Sequence, residues 1–348
     1  SYKKNGKVYL VAPQPIDMDT VPYLSRDFAN EILDYKFSFS MVTSRGCGHG
    51  VCAFCYLPMY QKNSNHPKFR YRKPEDVVGE MTALRDMYGV DKITFVDEDY
   101  FGVHKIGIPR AEAIADLLIK QRTGIIYYVN ARINSLVEVI DKGLLPKLAE
   151  SGLRYVFVGI ESGSDSVLKK YKKGTSVEKI HGVVDELNKY GIKINPGLIT
   201  FDPELSIEQV MDNVKMLEYI GYYDVFMFTR KLILLPGIKV GSVNQGWELP
   251  EFNTDVKKQE EYYKDMKTAL LYDIMIWFRD TIFPYYKRID ELIEITSELR
   301  NELIQNHFQA FYSIANKVRN GKVCNLKAAM PEMQYYVDFV KGKANESN

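Results

Sequence analysis

The sequence lacks a long apolar run, an excess of charge and a secretory signal. No stretch of about 18 consecutive apolar residues occurs in the 348 residues, so no membrane-spanning helix is predicted. Lysine and arginine total 46 against 45 aspartates and glutamates, which argues against the broad positive surface of a nucleic-acid-binding protein. The first residues, SYKKNGKVYLVAPQP, lack the apolar core of a signal peptide. We therefore expect a cytoplasmic protein with neither a membrane partner nor a nucleic-acid partner.

Cysteine is also scarce. Four cysteines are too few for a disulfide framework in a chain of this length. Three of them, Cys47, Cys52 and Cys55, fall within nine residues, and Cys324 stands alone near the end of the sequence. Such clustering predicts a metal site in a reducing compartment. We expect Cys324 to be an ordinary buried thiol.

The middle of the sequence repeats one unit, namely an amphipathic helix, a glycine and a short apolar strand. Glycines such as Gly89 and Gly221 stand where a helix needs a left-handed residue after its last turn. The strands are nearly continuous apolar runs, which is typical of a parallel sheet covered on both faces. Six strands are predicted, at residues 37–43, 92–96, 124–130, 154–160, 192–199 and 223–228. The predicted fold is therefore α/β, a partial (β/α)6 parallel barrel over residues 38–245.

Both ends of the sequence depart from this repeat. Residues 1–37, rich in proline and aspartate, are predicted to form a lead-in segment. Residues 246–348 are predicted to form a C-terminal helical region, with two long helices separated by Pro284. Right-handed crossovers would place all the strand carboxyl ends at one rim of the barrel, where such folds keep their active sites.

The clustered cysteines lie in the string SRGCGHGVCAFCY, residues 44–56, directly after the first predicted strand. Three thiolates on one short loop can bind three irons of a 4Fe–4S cluster and leave the fourth iron open to another ligand. Gly46, Gly48 and Gly50 allow the backbone to wrap closely around a compact group. The alternative is a structural zinc site made by the three cysteines and His49, because zinc also favours closely spaced cysteines.

This string resembles the cluster loop of radical S-adenosylmethionine enzymes, whose usual spacing is Cys-x3-Cys-x2-Cys. Here the first gap is one residue longer, which gives Cys-x4-Cys-x2-Cys. The resemblance implies a 4Fe–4S cluster on Cys47, Cys52 and Cys55, with S-adenosylmethionine as a second cofactor. It also implies that Phe54, in the aromatic position before the last cysteine, lies near the adenine of that cofactor. A zinc-binding interaction module is the non-enzymatic alternative.

The resemblance extends over residues 38–240 and includes polar residues at the ends of later strands. It implies that Asp97 and Glu98, in ITFVDEDYF, hold the amino group of S-adenosylmethionine. Capping of the following helix is the alternative for either carboxylate.

The next two strand ends also carry candidate ligands. Asn130 and Arg132, in VNARINSL, are implied to bind the cofactor, and Arg132 could grip a carboxylate of either the cofactor or the substrate. A salt bridge at the barrel rim is the plainer interpretation of Arg132. Glu161 and Ser162, in VGIESGSD, are implied cofactor ligands. Glu161 and Arg132 are the candidate catalytic residues.

Two features resemble the cobalamin-binding class of this superfamily. The lead-in GKVYLVAPQPIDMDTVPYLSRDF is similar to the linker between the cobalamin domain and the barrel, and the strings TSRGC, YRKPEDVVGEM and VDEDYF resemble that class. The Asp-x-His-x-x-Gly signature of a cobalamin domain does not occur in these residues. The chain is therefore expected to be either the catalytic part of a longer cobalamin-dependent protein or a relative that works without cobalamin.

The resemblance implies an enzyme that cleaves S-adenosylmethionine reductively to methionine and a 5′-deoxyadenosyl radical. That radical would remove hydrogen from an unactivated carbon of the substrate. Methylation would follow in a cobalamin-dependent full-length protein, and cyclisation or rearrangement is the alternative. The expected partners are a small-molecule or peptide substrate and an electron donor such as flavodoxin or ferredoxin.

Overall fold

The structure is a computed structural model. It describes residues 2–5, 7–9, 15–34, 38–58, 67–222, 224–233, 239–240, 243–244, 262–291 and 297–346. The chain forms two compact units: Ser1–Ile160 with Tyr171–Gly197, and Glu161–Lys170 with Leu198–Asn348. The predicted boundaries at residues 37 and 245 lie outside the described residues. Within the described ranges, no helix has the length and apolar character needed to cross a membrane.

A parallel sheet forms the core of the first unit. The described strands up to residue 198 are, in chain order, β1 (Tyr2–Lys4), β2 (Lys7–Tyr9), β3 (Phe39–Met41), β4 (Ser44–Gly46), β5 (Phe69–Tyr71), β6 (Lys92–Phe95), β7 (Ile126–Arg132), β8 (Leu153–Glu161) and β9 (Lys193–Leu198). The sheet has the order β3-β6-β7-β8-β9, and its first three strand pairs are parallel. This arrangement confirms the predicted α/β fold with a partial parallel barrel.

Helices alternate with the strands. They are α1 (Ala29–Asp34), α2 (Pro74–Tyr88), α3 (His104–Lys120), α4 (Ile133–Asp141), α5 (Leu145–Glu150), α6 (Asp165–Lys170), α7 (Val177–Lys189) and α8 (Ile207–Ile220). Gly89 after α2 and Gly221 after α8 have φ angles of 66° and 68°, in the left-handed region predicted for them. Ser206 begins α8 with a capping box, in which its hydroxyl accepts from the Gln209 N–H and the Gln209 side chain accepts from the Ser206 N–H.

The lead-in packs against the first barrel elements. Arg26 donates to the Ser40 carbonyl and pairs with Glu80 at 3.1 Å, and both side chains are largely buried. The Tyr23 hydroxyl donates to the Asp76 carbonyl. A cavity of about 270 Å³ lies beside this contact, lined by apolar lead-in residues and by arginines that include Arg45. The described part of the lead-in therefore belongs to the first unit.

The predicted sixth strand at residues 223–228 is wrong. Val225–Thr229 instead forms a 3-10 helix, because the Asp224 carboxylate accepts from the Phe226 N–H and starts a helical turn. In this part of the second unit, Phe201 and Lys231 form an isolated parallel β-bridge. An apolar run predicted a strand here, but the capping aspartate within it decided the local structure.

The C-terminal helical region contains α9 (Met266–Glu291), α10 (Ser297–Arg319) and α11 (Leu326–Glu346). The predicted break at Pro284 is wrong, because α9 continues through this proline. A proline in a helix removes one backbone hydrogen bond but has a φ angle close to the helical value. Cys324 is exposed, so its predicted burial is also wrong. Two short strands, β10 (Lys239–Val240) and β11 (Val243–Asn244), precede this region.

His307 lies inside the helical region and is 1% exposed. Its Nδ1 lies 2.7 Å from the Leu303 carbonyl oxygen, and the rings of Phe278 and Tyr286 lie 5.3 and 5.2 Å away. Burial lowers the pKa of His307 to about 4, although the hydrogen bond to Leu303 opposes this shift. The neutral imidazole is therefore the form that the folded protein favours.

Lowering the pH is expected to destabilise the fold through His307. The unfolded chain protonates this histidine below pH ~6.5 while the folded protein resists until about pH 4, so the free energy of unfolding falls across that window. The expected loss is about 3 kcal/mol. Urea unfolding of the protein and of His307→Gln between these pH values measures it, with His181→Gln as the control. A pH dependence that is equally steep in His307→Gln would contradict the assignment.

Candidate active site

The cysteine loop is framed by an antiparallel pair of strands. β4 leads into the loop and β5 follows it, with Gly46 opposite Phe69. Gly46 has a φ of 101°, and a Cβ at this position would lie 2.1 Å from the Lys68 carbonyl oxygen. Gly50 also has a positive φ. The glycines predicted to shape the loop are therefore required by its backbone path.

All three loop cysteines are of intermediate exposure and none is in a disulfide. The Cys55 Sγ accepts from the Leu57 N–H at 3.4 Å, and the Cys55 N–H donates to the Cys52 carbonyl. The Ala53 N–H donates to the Tyr171 carbonyl at 2.9 Å. The loop is thus fixed at its second half by its own turns and by the segment that follows α6.

A second set of contacts joins the loop to residues 171–174. The Phe54 ring packs edge-on against Tyr171 with centroids 5.2 Å apart, and the Lys173 ammonium lies 5.6 Å from the Phe54 centroid. The His49 Nε2 lies 2.7 Å from the Lys172 carbonyl oxygen. Phe54 therefore contacts both the Tyr171 ring and the Lys173 ammonium, and it lies directly before Cys55 in the loop.

His49 lies in the loop between Cys47 and Cys52, and its pKa depends on the charges around it. Burial lowers the pKa of His49, the hydrogen bond to Lys172 opposes this, and the nearby cations Arg132, Lys173 and Lys68 lower it further. The part of the loop that contains His49 therefore lies in a cationic environment.

The loop carries a donor set of three thiols, on Cys47, Cys52 and Cys55. Each thiolate of a 4Fe–4S cluster binds a different iron, so three thiols on a glycine-shaped loop fit such a cluster. A structural zinc site would need a fourth ligand around the same ion. Among the described residues, no three side chains of His, Cys, Asp or Glu converge on a point where they could hold one metal ion.

Asp97, at the end of β6, is completely buried. Its Oδ1 accepts from the backbone N–H groups of Thr43 and Ser44 at 2.7 and 3.0 Å. Its Oδ2 accepts from the hydroxyls of the same two residues, at 2.7 Å for Ser44. The carboxylate is thus occupied by the residues that lead into the cysteine loop.

Glu98 faces the loop with a different pattern of contacts. Its Oε2 accepts from the Gly46 N–H at 2.9 Å, and its Oε1 lies 3.6 Å from Arg45. Its side chain is 26% exposed. Of the two predicted acids, Glu98 is the one that is partly exposed, whereas Asp97 is buried.

Asn130 and Arg132 lie where predicted, at the end of β7. The Asn130 side chain donates to the Asp97 carbonyl at 2.8 Å, and the Asn130 carbonyl accepts from the Tyr100 N–H. The Arg132 side chain is 12% exposed, and its Nη1 lies 4.0 Å from Asp99. Its Nε has no hydrogen-bond partner among the described residues. Arg132 is thus a nearly buried cation whose Nε–H donor has no partner among the described residues.

Asp99 was not predicted as a site residue. It is fully buried, and burial raises its pKa to about 6 while Arg132, the Ser135 hydroxyl and two backbone N–H groups oppose the rise. Ser135 also lies 3.1 Å from the His104 Nε2. The string VDEDYF contains three consecutive acids, Asp97, Glu98 and Asp99. The string alone does not predict that their surroundings differ.

Glu161 and Ser162 belong to the second unit. Glu161 ends β8 with a φ of 70°, in the left-handed region, and its carbonyl accepts from the Ile199 N–H. The Ser162 hydroxyl is buried and donates to Asn213 Oδ1, which also accepts from the Gly163 N–H. The Asn213 Nδ2 donates to the carbonyls of Ile199 and Thr200. Ser162 therefore belongs to a buried network centred on Asn213, a residue that no sequence pattern indicated.

Comparisons with known proteins agree on one superfamily. A family model described as the radical SAM superfamily matches residues 41–217, which are 177 of the 348 residues. An uncharacterized methyltransferase of Pyrococcus horikoshii is 29% identical over 221 residues, covering 62% of this chain and 45% of the relative. The 4′-phospho-dehydrooxetanocin synthase of Priestia megaterium is 28% identical over 219 residues, covering 58% of this chain and 28% of the relative.

A solved structure shares the fold. The cobalamin-dependent S-adenosylmethionine radical enzyme OxsB, with aqua-cobalamin and S-adenosylmethionine bound, superposes with a TM-score of 0.71 at 16% identity. The superposition covers 96% of this chain and 54% of that one. The chain spans less than half the length of the two curated relatives.

Proposed function

The chain belongs to the radical S-adenosylmethionine superfamily, and on this premise we propose that it cleaves S-adenosylmethionine reductively at a 4Fe–4S cluster. Cys47, Cys52 and Cys55 would hold the cluster. The bound cluster would supply one-electron reduction of the sulfonium, with the electron coming from an outside donor, and the products would be methionine and a 5′-deoxyadenosyl radical. The observation that carries the proposal is the glycine-shaped loop of three half-buried thiols beside a cationic surface.

The residues around the loop have separate tasks in this proposal. Glu98, whose side chain is partly exposed, would bind the cofactor's ammonium, since a charge-assisted hydrogen bond favours that pairing. Arg132, whose Nε has no hydrogen-bond partner among the described residues, would bind a carboxylate of the cofactor or the substrate. Phe54, held by Tyr171, offers an aromatic face to adenine. Glu161 is proposed as a further cofactor ligand or catalytic residue.

The fate of the substrate is proposed from the relatives. One relative is named a methyltransferase, and the solved structure that shares the fold is that of a cobalamin-dependent enzyme. Both observations support methylation of an unactivated carbon in a longer cobalamin-binding protein. Another relative is named a synthase, which supports cyclisation or rearrangement as the second candidate. A small molecule or a peptide would be the substrate, and a one-electron carrier such as flavodoxin or ferredoxin would be the donor.

The proposal is tested by anaerobic reconstitution of the chain with iron and sulfide, followed by reduction in the presence of S-adenosylmethionine. We expect 5′-deoxyadenosine and methionine to form in equal amounts, and neither to form when the reductant is omitted. Analysis of iron and sulfide establishes that the cluster is present. Failure of the reconstituted and reduced protein to form 5′-deoxyadenosine would contradict the proposed function.

A further inference from the structure

The segment Thr43–Ser44, which leads into the cysteine loop, is held on both sides by buried charged side chains. Asp97 accepts from its two N–H groups and its two hydroxyls. On the other side, Arg110 donates from Nη2 to the Thr43 carbonyl at 2.9 Å and from Nε to the Arg72 carbonyl. Arg110 is 4% exposed and Asp97 is fully buried.

Asp97 has no acceptor capacity left. A carboxylate offers about four lone-pair positions, and four donors from Thr43 and Ser44 occupy them. An ammonium group could bind Asp97 only by displacing these donors from a site that no solvent reaches. The neighbouring Glu98 differs, because its side chain is partly exposed and its Oε1 lies as far as 3.6 Å from Arg45.

We infer that Asp97 is a positioning residue for the cysteine loop and not a ligand of the cofactor. It fixes the direction in which the chain leaves β3, three residues before Cys47. Arg110 completes this arrangement by fixing the Thr43 carbonyl. The inference rests on the proposed function only in taking the loop to carry the cluster.

A pair of isosteric substitutions separates the two roles. In Asp97→Asn, the amide oxygen can still accept from both N–H groups, and the amide nitrogen can donate to the two hydroxyls after they rotate. We therefore expect Asp97→Asn to keep its iron content and its affinity for S-adenosylmethionine. In Glu98→Gln, the bond to Gly46 can persist but the charge is lost, so we expect affinity for S-adenosylmethionine to fall about tenfold.

The opposite result would overturn the inference. If Asp97→Asn keeps its cluster but loses about tenfold or more in affinity for S-adenosylmethionine, Asp97 binds the cofactor. Affinity is measured by equilibrium dialysis of the oxidised, cluster-loaded protein against S-adenosylmethionine, because the oxidised cluster does not cleave it.

A second measurement does not need the cluster. Amide hydrogen exchange of the iron-free protein reports the hydrogen bonds of residues 43 and 44 directly. We expect exchange at these amides to be unchanged in Asp97→Asn and about tenfold or more faster in Asp97→Ala. If Asp97→Ala does not fold, Ser44→Ala should show a smaller acceleration at the same residues. Unchanged exchange in the truncated variant would overturn the positioning role, whether or not the chain forms 5′-deoxyadenosine.

Discussion

Replacing Cys52 by alanine is expected to abolish the formation of 5′-deoxyadenosine. With one of three thiolates removed, the remaining two cannot hold a 4Fe–4S cluster with a single open iron. Cys52 is only partly buried, so its truncation should change the free energy of unfolding by less than about 1 kcal/mol. The measurement is iron and sulfide per chain, together with 5′-deoxyadenosine after reduction.

Cys324→Ala provides the matched control for this experiment. Cys324 is exposed and lies in the second unit, outside the loop. Its loss should leave iron content and product formation at the level of the unmodified protein. Full product formation by Cys52→Ala, or an equal loss in both variants, would contradict the assignment of the loop cysteines as cluster ligands.

The parallel sheet could be predicted because its determinants are local. Each strand is a short apolar run, and a left-handed glycine such as Gly89 marks the end of a helix before a strand. The prediction failed at residues 225–229, where Asp224 caps a helical turn inside an equally apolar run. It failed again at Pro284, because packing of α9 outweighs the preference of proline for helix ends.

The candidate site was predictable to a different depth for each residue. The cysteines and glycines of the loop form one contiguous string, so the sequence alone predicts them to belong to one site. Asp97 and Glu98 are adjacent acids that sequence treated as equivalent, and their roles separate only because β3 lies beside β6. Arg110 is remote in the sequence from the peptide that it binds, and no local pattern predicts such a contact.

Strain at the end of β8 gives a second type of information. Glu161 has a φ of 70°, a conformation that costs a residue with a side chain of order 1 kcal/mol and that glycine adopts freely. Strained residues of this kind persist where the surrounding structure enforces them, and they cluster at functional sites. The positive φ therefore supports the proposal that the Glu161 carboxylate has a function, which would offset the free energy that this backbone conformation costs.

Glu161→Gly is expected to separate stability from activity. Glycine relieves the strain at this φ, so the free energy of unfolding should stay within about 1 kcal/mol of its original value. Loss of the carboxylate should lower 5′-deoxyadenosine formation by at least about tenfold if Glu161 binds the cofactor. Arg122→Gly is the matched control, because Arg122 has a φ of 48° and is exposed at the end of α3. We expect the control to change stability similarly and activity not at all. Full activity in Glu161→Gly would remove Glu161 from the site, and a loss of about 3 kcal/mol in stability would make it a structural residue.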